Sequence, residues 1–291
     1  MSTSPTERKF AAPPFAAPDS PPRALVMGVI NVTPDSFSDG NTHFDTGVAI
    51  SAGLRMIEEG ADIIDVGGES TRPGSDQVTV EEELARAIPV IRGILLRRPN
   101  AIISVDTRRR AVAEAAIGAG AKIINDVSGF RDDPGLVEIG RKAGAGMVIM
   151  HMLGRPKTMQ ADIRYDSFPG DIYKFLEERV RALEKSGIDP DKIVIDPGIG
   201  FGKTFDQNLI LLNRLDYFFP LGKPILVGAS RKAFLGRILD QPVASARDLG
   251  SMAAVVAAVL RGASVVRVHD VASAVQVCKV ADAIARERVE P

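Results

Sequence analysis

The chain of 291 residues has no tryptophan, one cysteine, three histidines and three tyrosines. The lone Cys278 rules out an intramolecular disulfide and any multi-cysteine metal centre, and no two histidines stand at a zinc-binding spacing. Cys278 falls within a C-terminal helical pattern and reads as packing rather than chemistry. No apolar stretch reaches the roughly 18 residues that span a bilayer. The N-terminus, MSTSPTERKFAAPPFAAPDSPPR, has no apolar centre of the signal-peptide kind. Neither sign of charge dominates: 36 Lys plus Arg face 37 Asp plus Glu. That balance gives no support to nucleic-acid or membrane binding. A reducing, cytoplasmic setting is the expectation.

What is present is a recurring unit. Short apolar runs end on a polar or charged residue and a turn signal: LVMGVIN (25–31), DIIDVGGEST (62–71), AIISVDT (101–107), KIINDVSG (122–129), MVIMHM (147–152), KIVIDPGIGFGK (192–203), PILVGASRK (224–232) and SVVRVHD (264–270). Continuous Val/Ile-rich runs suit parallel strands buried on both faces. Each run is followed by a helix-compatible stretch: 45–60, 79–98, 108–120, 133–144, 171–187, 206–220, 245–262 and 271–289 after runs one to eight, with 79–98 opening on Thr79 and Glu82 at capping-box spacing. The pattern predicts an α/β fold, a single (β/α)8 TIM barrel over 23–291, behind a Pro/Ala-rich mobile tail, 1–22. The stretch 245–262 is Ala/Val-rich almost all round, which predicts cover on more than one side, from a subunit contact or from a packed loop.

A barrel brings the C-terminal ends of its strands to one mouth. Asn31, Asp65, Asp106, Asn125, His151, Asp196, Lys232, Arg267 and His269 would converge there. Buried carboxylates such as Asp106 and Asp196 are costly without donors. They suit a ligand with adjacent N–H groups, such as an aminopyrimidinone ring, while an Asn matches a mixed donor/acceptor edge. Barrels often bind phosphate at the loops after strands seven and eight. Ser230, Lys232, Arg267 and His269 supply hydroxyl, ammonium, guanidinium and imidazole there, a set suited to a diphosphate. The long first loop, NVTPDSFSDGNTHFD (31–45), reads as a lid, and Asn31 offers a neutral oxygen of the kind Mg²⁺ accepts. In GGESTRPGSD (67–76), hydroxyls and Arg72 could grip an anion, or could lie exposed and idle. PGIGFGKT looks like a phosphate loop but lacks the spacing of one. His43 and His151 are weaker candidates.

Taken together, MGVINVTPDSFSDG, ADIIDVGGESTRPG, SVDT, INDVSG, MHM, IDPGIGFGK, SRK and RVHD, in that order, resemble the dihydropteroate synthase family of folate biosynthesis over about residues 24–285. The resemblance implies a TIM barrel, usually homodimeric. It also implies the Mg²⁺-dependent joining of 6-hydroxymethyl-7,8-dihydropterin diphosphate to p-aminobenzoate, with release of diphosphate. It assigns Asp106, Asn125, Asp196, Lys232 and Met150 to the pterin, and Asn31, Arg267 and His269 to the diphosphate, with Asn31 at the metal. Thr71, Arg72, Pro73, Phe201, Ser230 and Lys232 fall to p-aminobenzoate. Asp35 belongs to the closing first loop and, with Asp106, Asp196, Lys232 and Arg72, to the catalytic set. Asn41 stands where many members carry a second glycine, and RDDP (131–134) replaces a more apolar segment. Two alternatives share the pterin residues: a methyltetrahydrofolate methyltransferase, which needs no diphosphate site, and a non-catalytic pterin-binding paralogue.

Overall fold

The apolar runs form strands: β1 (Leu25–Asn31), β2 (Ile63–Gly67), β3 (Ile102–Asp106), β4 (Ile123–Asp126), β5 (Gly146–Met150), β6 (Ile193–Asp196), β7 (Leu226–Val227) and β8 (Val265–Val268). The computed structural model describes residues 7–33, 46–70, 75 and 77–288. All strand pairs are parallel, in the order β6-β5-β4-β3-β2-β1-β8-β7. A parallel bridge between Ile195 and Ile225 joins the two outer strands, and the Ile195 N–H donates to the Pro224 carbonyl at 3.0 Å. The sheet is thereby the expected (β/α)8 barrel.

The helices α1 (Thr46–Glu58), α2 (Val80–Arg97), α3 (Arg110–Gly118), α4 (Gly135–Ala143), α5 (Gly170–Lys185), α6 (Phe205–Asn213), α7 (Ala233–Ile238), α8 (Asp248–Leu260) and α9 (Val271–Arg286) surround it. The capping box at Thr79 and Glu82 is formed, and a second one, Thr204 with Gln207, opens α6. Two departures from the sequence reading have local causes. The stretch 206–220 breaks after Asn213 into a 3₁₀ segment, Leu215–Leu221. Pro220 lacks an N–H, and its ring would strike the preceding turn of an α-helix. The short α7, unread in the sequence, follows the seventh strand directly.

The pleat sorts the strand residues into two sets. One set, including Ile64, Val66, Ile103, Val105, Ile149 and Ile195, packs outward against the helices. The other points inward. Leu25, Met27, Ile63, Ile123, Val148, Val194, Leu226 and Val265 form an apolar floor. Two residues further along five of these strands, on the same face, stand Asp65, Asn125, Met150, Asp196 and Arg267. The barrel interior thus changes from hydrocarbon to charge within one pleat repeat.

Within the stretch that the sequence reads as a mobile tail, Ala11, Phe15 and Ala16 lie against this floor. Phe15 is fully buried among the floor residues, and its ring meets Gly146 so closely that an added Cβ would come within 2.8 Å. Arg8 pairs with Asp282 at 2.8 Å, and the Ser264 hydroxyl bonds the Lys9 carbonyl. An aromatic ring that caps an open hydrocarbon floor removes apolar surface from water, which favours a docked segment over a solvated one.

Candidate active site

Six strands, β2 to β6 and β8, build the centre of the mouth. Strand register sets Asp106 beside Asn125, Gly67 beside Asp106, and Met150 beside Asp196. Asp65 is buried completely. Its Oδ2 accepts from Arg267 Nε at 2.7 Å and from Asn125 Nδ2 at 3.1 Å. Arg267 also donates from Nη2 to Asp106 Oδ2 at 2.9 Å. Arg267 thereby spends two of its five N–H donors on carboxylates and keeps the others for a further acceptor. Asp65 Oδ1 is buried with no hydrogen-bond partner among the described residues, which is the signature of a place where a ligand donor belongs.

Burial pushes the Asp106 carboxyl well above its usual range. The Arg267 guanidinium opposes the shift, and Asp65 adds to it. Asp196 is also raised by burial, to about 6, while the Gly198 N–H, Lys232 and Lys203 pull it back. The Gly198 N–H donates to Asp196 Oδ1 at 2.7 Å. Arg267 Nη2 donates to one oxygen of Asp106 and the Gly198 N–H to one oxygen of Asp196; neighbouring ring N–H groups would add donors that favour the charged forms.

The outer part of the site is mixed. Lys232 Nζ lies over the Phe201 ring at 4.0 Å from its centroid. Phe201 packs in turn with Val127, Met150, Met152 and Met159 in a small apolar cluster, a wall suited to an aromatic ligand. Ser230 Oγ and His269 Nδ1 are 3.0 Å apart, which ties the ends of β7 and β8 together. Asn31 ends β1 at the rim, partly exposed.

Asp106, Asn125, Met150, Asp196, Phe201, Ser230, Lys232, Arg267 and His269 are therefore gathered where the sequence reading puts them. Asp35, Thr71, Arg72 and Pro73, together with Asn41 and His43, lie outside the described residues. The sequence reading placed Asp65 at the mouth and gave it no role. Its spacing, two residues beyond the floor residue Ile63, is the signal that aims it inward. Glu69, also given no role, is held by Arg108 at 2.8 Å and Arg109 at 3.3 Å. Arg108 reaches Asp132 as well, at 2.9 Å. The acidic RDDP segment thus has a partner on the neighbouring loop.

The description "pterin binding enzyme" belongs to the family whose profile matches residues 27–269. The dihydropteroate synthase of Escherichia coli K12 is 45% identical over 258 residues, spanning 89% of this chain and 90% of that one. The dihydropteroate synthase of Xanthomonas albilineans solved with 4-aminobenzoic acid has a TM-score of 0.84 at 45% identity, covering 90% of this chain and 93% of that one. The same enzyme in complex with 7,8-dihydropteroate has a TM-score of 0.80 at 42% identity, covering 90% and 94%. A barrel whose inward carboxylates, Asn and Lys meet at the mouth, and relatives this similar over nine-tenths of their length, lead to one assignment: the chain belongs to the pterin-binding enzyme family and, within it, to the dihydropteroate synthases.

Proposed function

We propose that this chain condenses 6-hydroxymethyl-7,8-dihydropterin diphosphate with p-aminobenzoate, giving 7,8-dihydropteroate and diphosphate, in the cytoplasm. The observation that carries the reading is the buried polar cluster at the barrel mouth, Asp65, Asp106, Asn125 and Asp196 beside Arg267, in which Asp65 Oδ1 has no hydrogen-bond partner among the described residues. It offers acceptors and one amide to a flat ring bearing several N–H groups.

In this reading Asp106, Asn125, Asp196 and Lys232 hold the pterin, with Met150 against its face. Arg267 and His269 lie on one face of β8, two residues apart, and bind the diphosphate. Ser230, Phe201 and Lys232 receive p-aminobenzoate, with Thr71, Arg72 and Pro73 completing that side and Asp35 in the loop that closes over the site. In the same reading Asn31 would help to hold a Mg²⁺ ion. Asn31 contributes a single neutral oxygen at the rim, and no group of three or more acidic, His or Cys side chains forms a metal site among the described residues. Such an ion takes most of its ligands from phosphate and water. Bound there, it would share the charge of the departing diphosphate.

The residues favour loss of diphosphate before attack. Arg267 and His269 stabilise the leaving group, and the carboxylates of Asp106 and Asp196 stabilise the positive charge that develops on the pterin methylene. The aryl amine needs no strong base, and the Ser230–His269 contact is assigned to substrate binding. Release of diphosphate on mixing both substrates, abolished by omitting p-aminobenzoate or by chelating divalent cations, is the expected assay result. Pterin binding with no diphosphate released would instead favour a non-catalytic paralogue. The level of identity to dihydropteroate synthases weighs against a methyltransferase.

A homodimer is part of the same proposal. Leu209, Leu212, Phe234, Leu235, Leu239 and Ala254, from α6, α7 and α8, line an apolar groove on the outer face. Ile238 and Leu239 remain 57% and 47% exposed there, and a contiguous exposed apolar patch marks an interaction surface. A second copy would cover it. Sedimentation of Leu239→Glu should show half the mass of the parent chain, and equal masses would count against this face.

A further inference from the structure

Two sequence features have no part in the reaction just described: His151, in the MHM run, and Lys203, which closes the glycine-rich run after β6. Lys203 is a buried amine, 2% exposed, whose pKa burial pulls down to about 7 against the opposing charge of Asp196. Its Nζ donates to His151 Nδ1 at 2.9 Å, to the Phe201 carbonyl at 3.0 Å and to the His151 carbonyl at 3.3 Å. In the protonated form its three donors meet three acceptors. An acceptor at Nδ1 puts the imidazole proton on Nε2. Burial, and then the Lys203 charge, hold His151 well below its ordinary pKa, so it stays neutral and the acceptor persists. The His151 ring is packed edge-on against Phe175, with centroids 5.0 Å apart, and is not free to turn away.

What this ammonium holds is the loop 198–202, whose three glycines all have positive φ. The loop is seated directly on the end of β5. A Cβ at Gly198 would fall 1.9 Å from the His151 carbonyl oxygen, and one at Gly202 would fall 2.6 Å from Leu153 Cβ. Glycine allows that approach and gives no rigidity of its own. Phe201 hangs from this loop, with its ring beneath the Lys232 ammonium. A bond to the Phe201 carbonyl therefore fixes the backbone from which that ring projects.

We propose that Lys203 is a positioning residue for the p-aminobenzoate half of the site: its clamp on His151 and on the Phe201 carbonyl sets the Phe201 ring under Lys232. The inference rests on the assignment of Phe201 and Lys232 to p-aminobenzoate. Lys203 is none of the residues assigned to either substrate; it reaches the p-aminobenzoate side through Phe201, and its charge also acts on Asp196.

The test is steady-state kinetics and pterin binding in Lys203→Met, Phe201→Leu and the double variant. Loss of hydrogen bonds from a charged donor supports a rise of roughly ten-fold in KM for p-aminobenzoate. The dissociation constant of the pterin should rise by less than that KM, since its ligands on β3 and β4 are untouched and Asp196 loses only the Coulombic help of Lys203. In the double variant the Lys203→Met change should add nothing to Phe201→Leu. An unchanged KM in Lys203→Met beside a raised KM in Phe201→Leu would overturn the clamp alone. An unchanged KM in Phe201→Leu would overturn the subsite assignment and the clamp with it. Parallel loss of both substrates in Lys203→Met would mark a general structural role and also overturn it. Should Lys203→Met not fold, His151→Leu removes one acceptor of the three. A rise of about three-fold in the same KM is then expected, reversed in His151→Asn, whose amide oxygen can occupy the Nδ1 position. No rise in His151→Leu would refute the proposal.

Discussion

Asp65 and Arg267 meet inside the barrel from the two strands that flank β1, with Arg267 Nε 2.7 Å from Asp65 Oδ2. Arg267 is the shared counter-charge of two carboxylates, because Asp106 takes its Nη2. Replacing it with methionine leaves two like charges facing each other in a buried site. Arg267→Met should lower stability in urea by about 3–5 kcal/mol at neutral pH, the cost of stripping one partner from a buried pair. The loss should shrink at pH 5, where Asp106, with its raised pKa, takes up a proton. A loss under about 1 kcal/mol at neutral pH would mean that the pair does not hold the mouth together.

Asp196 is the carboxylate at the end of β6. Asp196→Asn keeps the shape and an acceptor for the Gly198 N–H while removing the charge. Pterin affinity and turnover should both fall, each by roughly ten- to a hundred-fold, the range for a lost charged hydrogen bond in a buried site. Calorimetric titration and diphosphate release together check this. Wild-type values for both would remove Asp196 from the pterin site.

The raised pKa of Asp196 has a sign that can be measured. In the unfolded chain this carboxyl titrates near 3.8, and in the folded chain near 6. Its protonated form is the one the fold prefers. The stability it contributes is present below about 3.8 and is lost as pH rises through about 6. The ligand-free melting temperature of the parent chain, relative to Asp196→Asn, should therefore drop between pH 4 and pH 7. Pterin binding should run the other way. It should weaken about ten-fold per pH unit below 6, because the ionised form is the acceptor. A flat difference curve would show that Asp196 is not buried in solution as it is in the structure.

Gly198 leaves no room for a side chain, because its φ is +74° and an added Cβ would collide with the His151 carbonyl. Gly198→Ala should cost at least ten-fold in turnover, with a fall in melting temperature, since the loop must lift from β5 and carry Phe201 with it. Activity and melting like those of the parent would show the seat to be looser than described.

The barrel was legible because its strands are buried on both faces and so, with Ser104 of β3 as an exception, stay apolar until the mouth. LVMGVIN over 25–31 became β1 without a residue gained or lost. The candidate site was legible for the same reason. Once a run such as KIVID is a strand, the pleat aims its terminal Asp inward. What escaped were residues whose meaning depends on a distant partner. Lys203 gains its role from His151, 52 residues earlier. Asp132 reads as an odd acid in a loop until Arg108 reaches it. The helix α7 is a single short element with an internal Gly236, too brief for a periodic signal. FAAPPFAAP carries neither helical nor strand period, so nothing in it distinguishes a docked segment from a solvated one.

The docking of Phe15 beneath the strands has a practical consequence for anyone trimming the gene. A clone started at Arg23, just before the first strand, would expose the hydrocarbon underside of Met27, Ile63, Ile123 and Val148 to solvent. Such a shortened protein would retain every group at the opposite end and still be prone to clump, because its weakness would lie about as far from the chemistry as the fold allows.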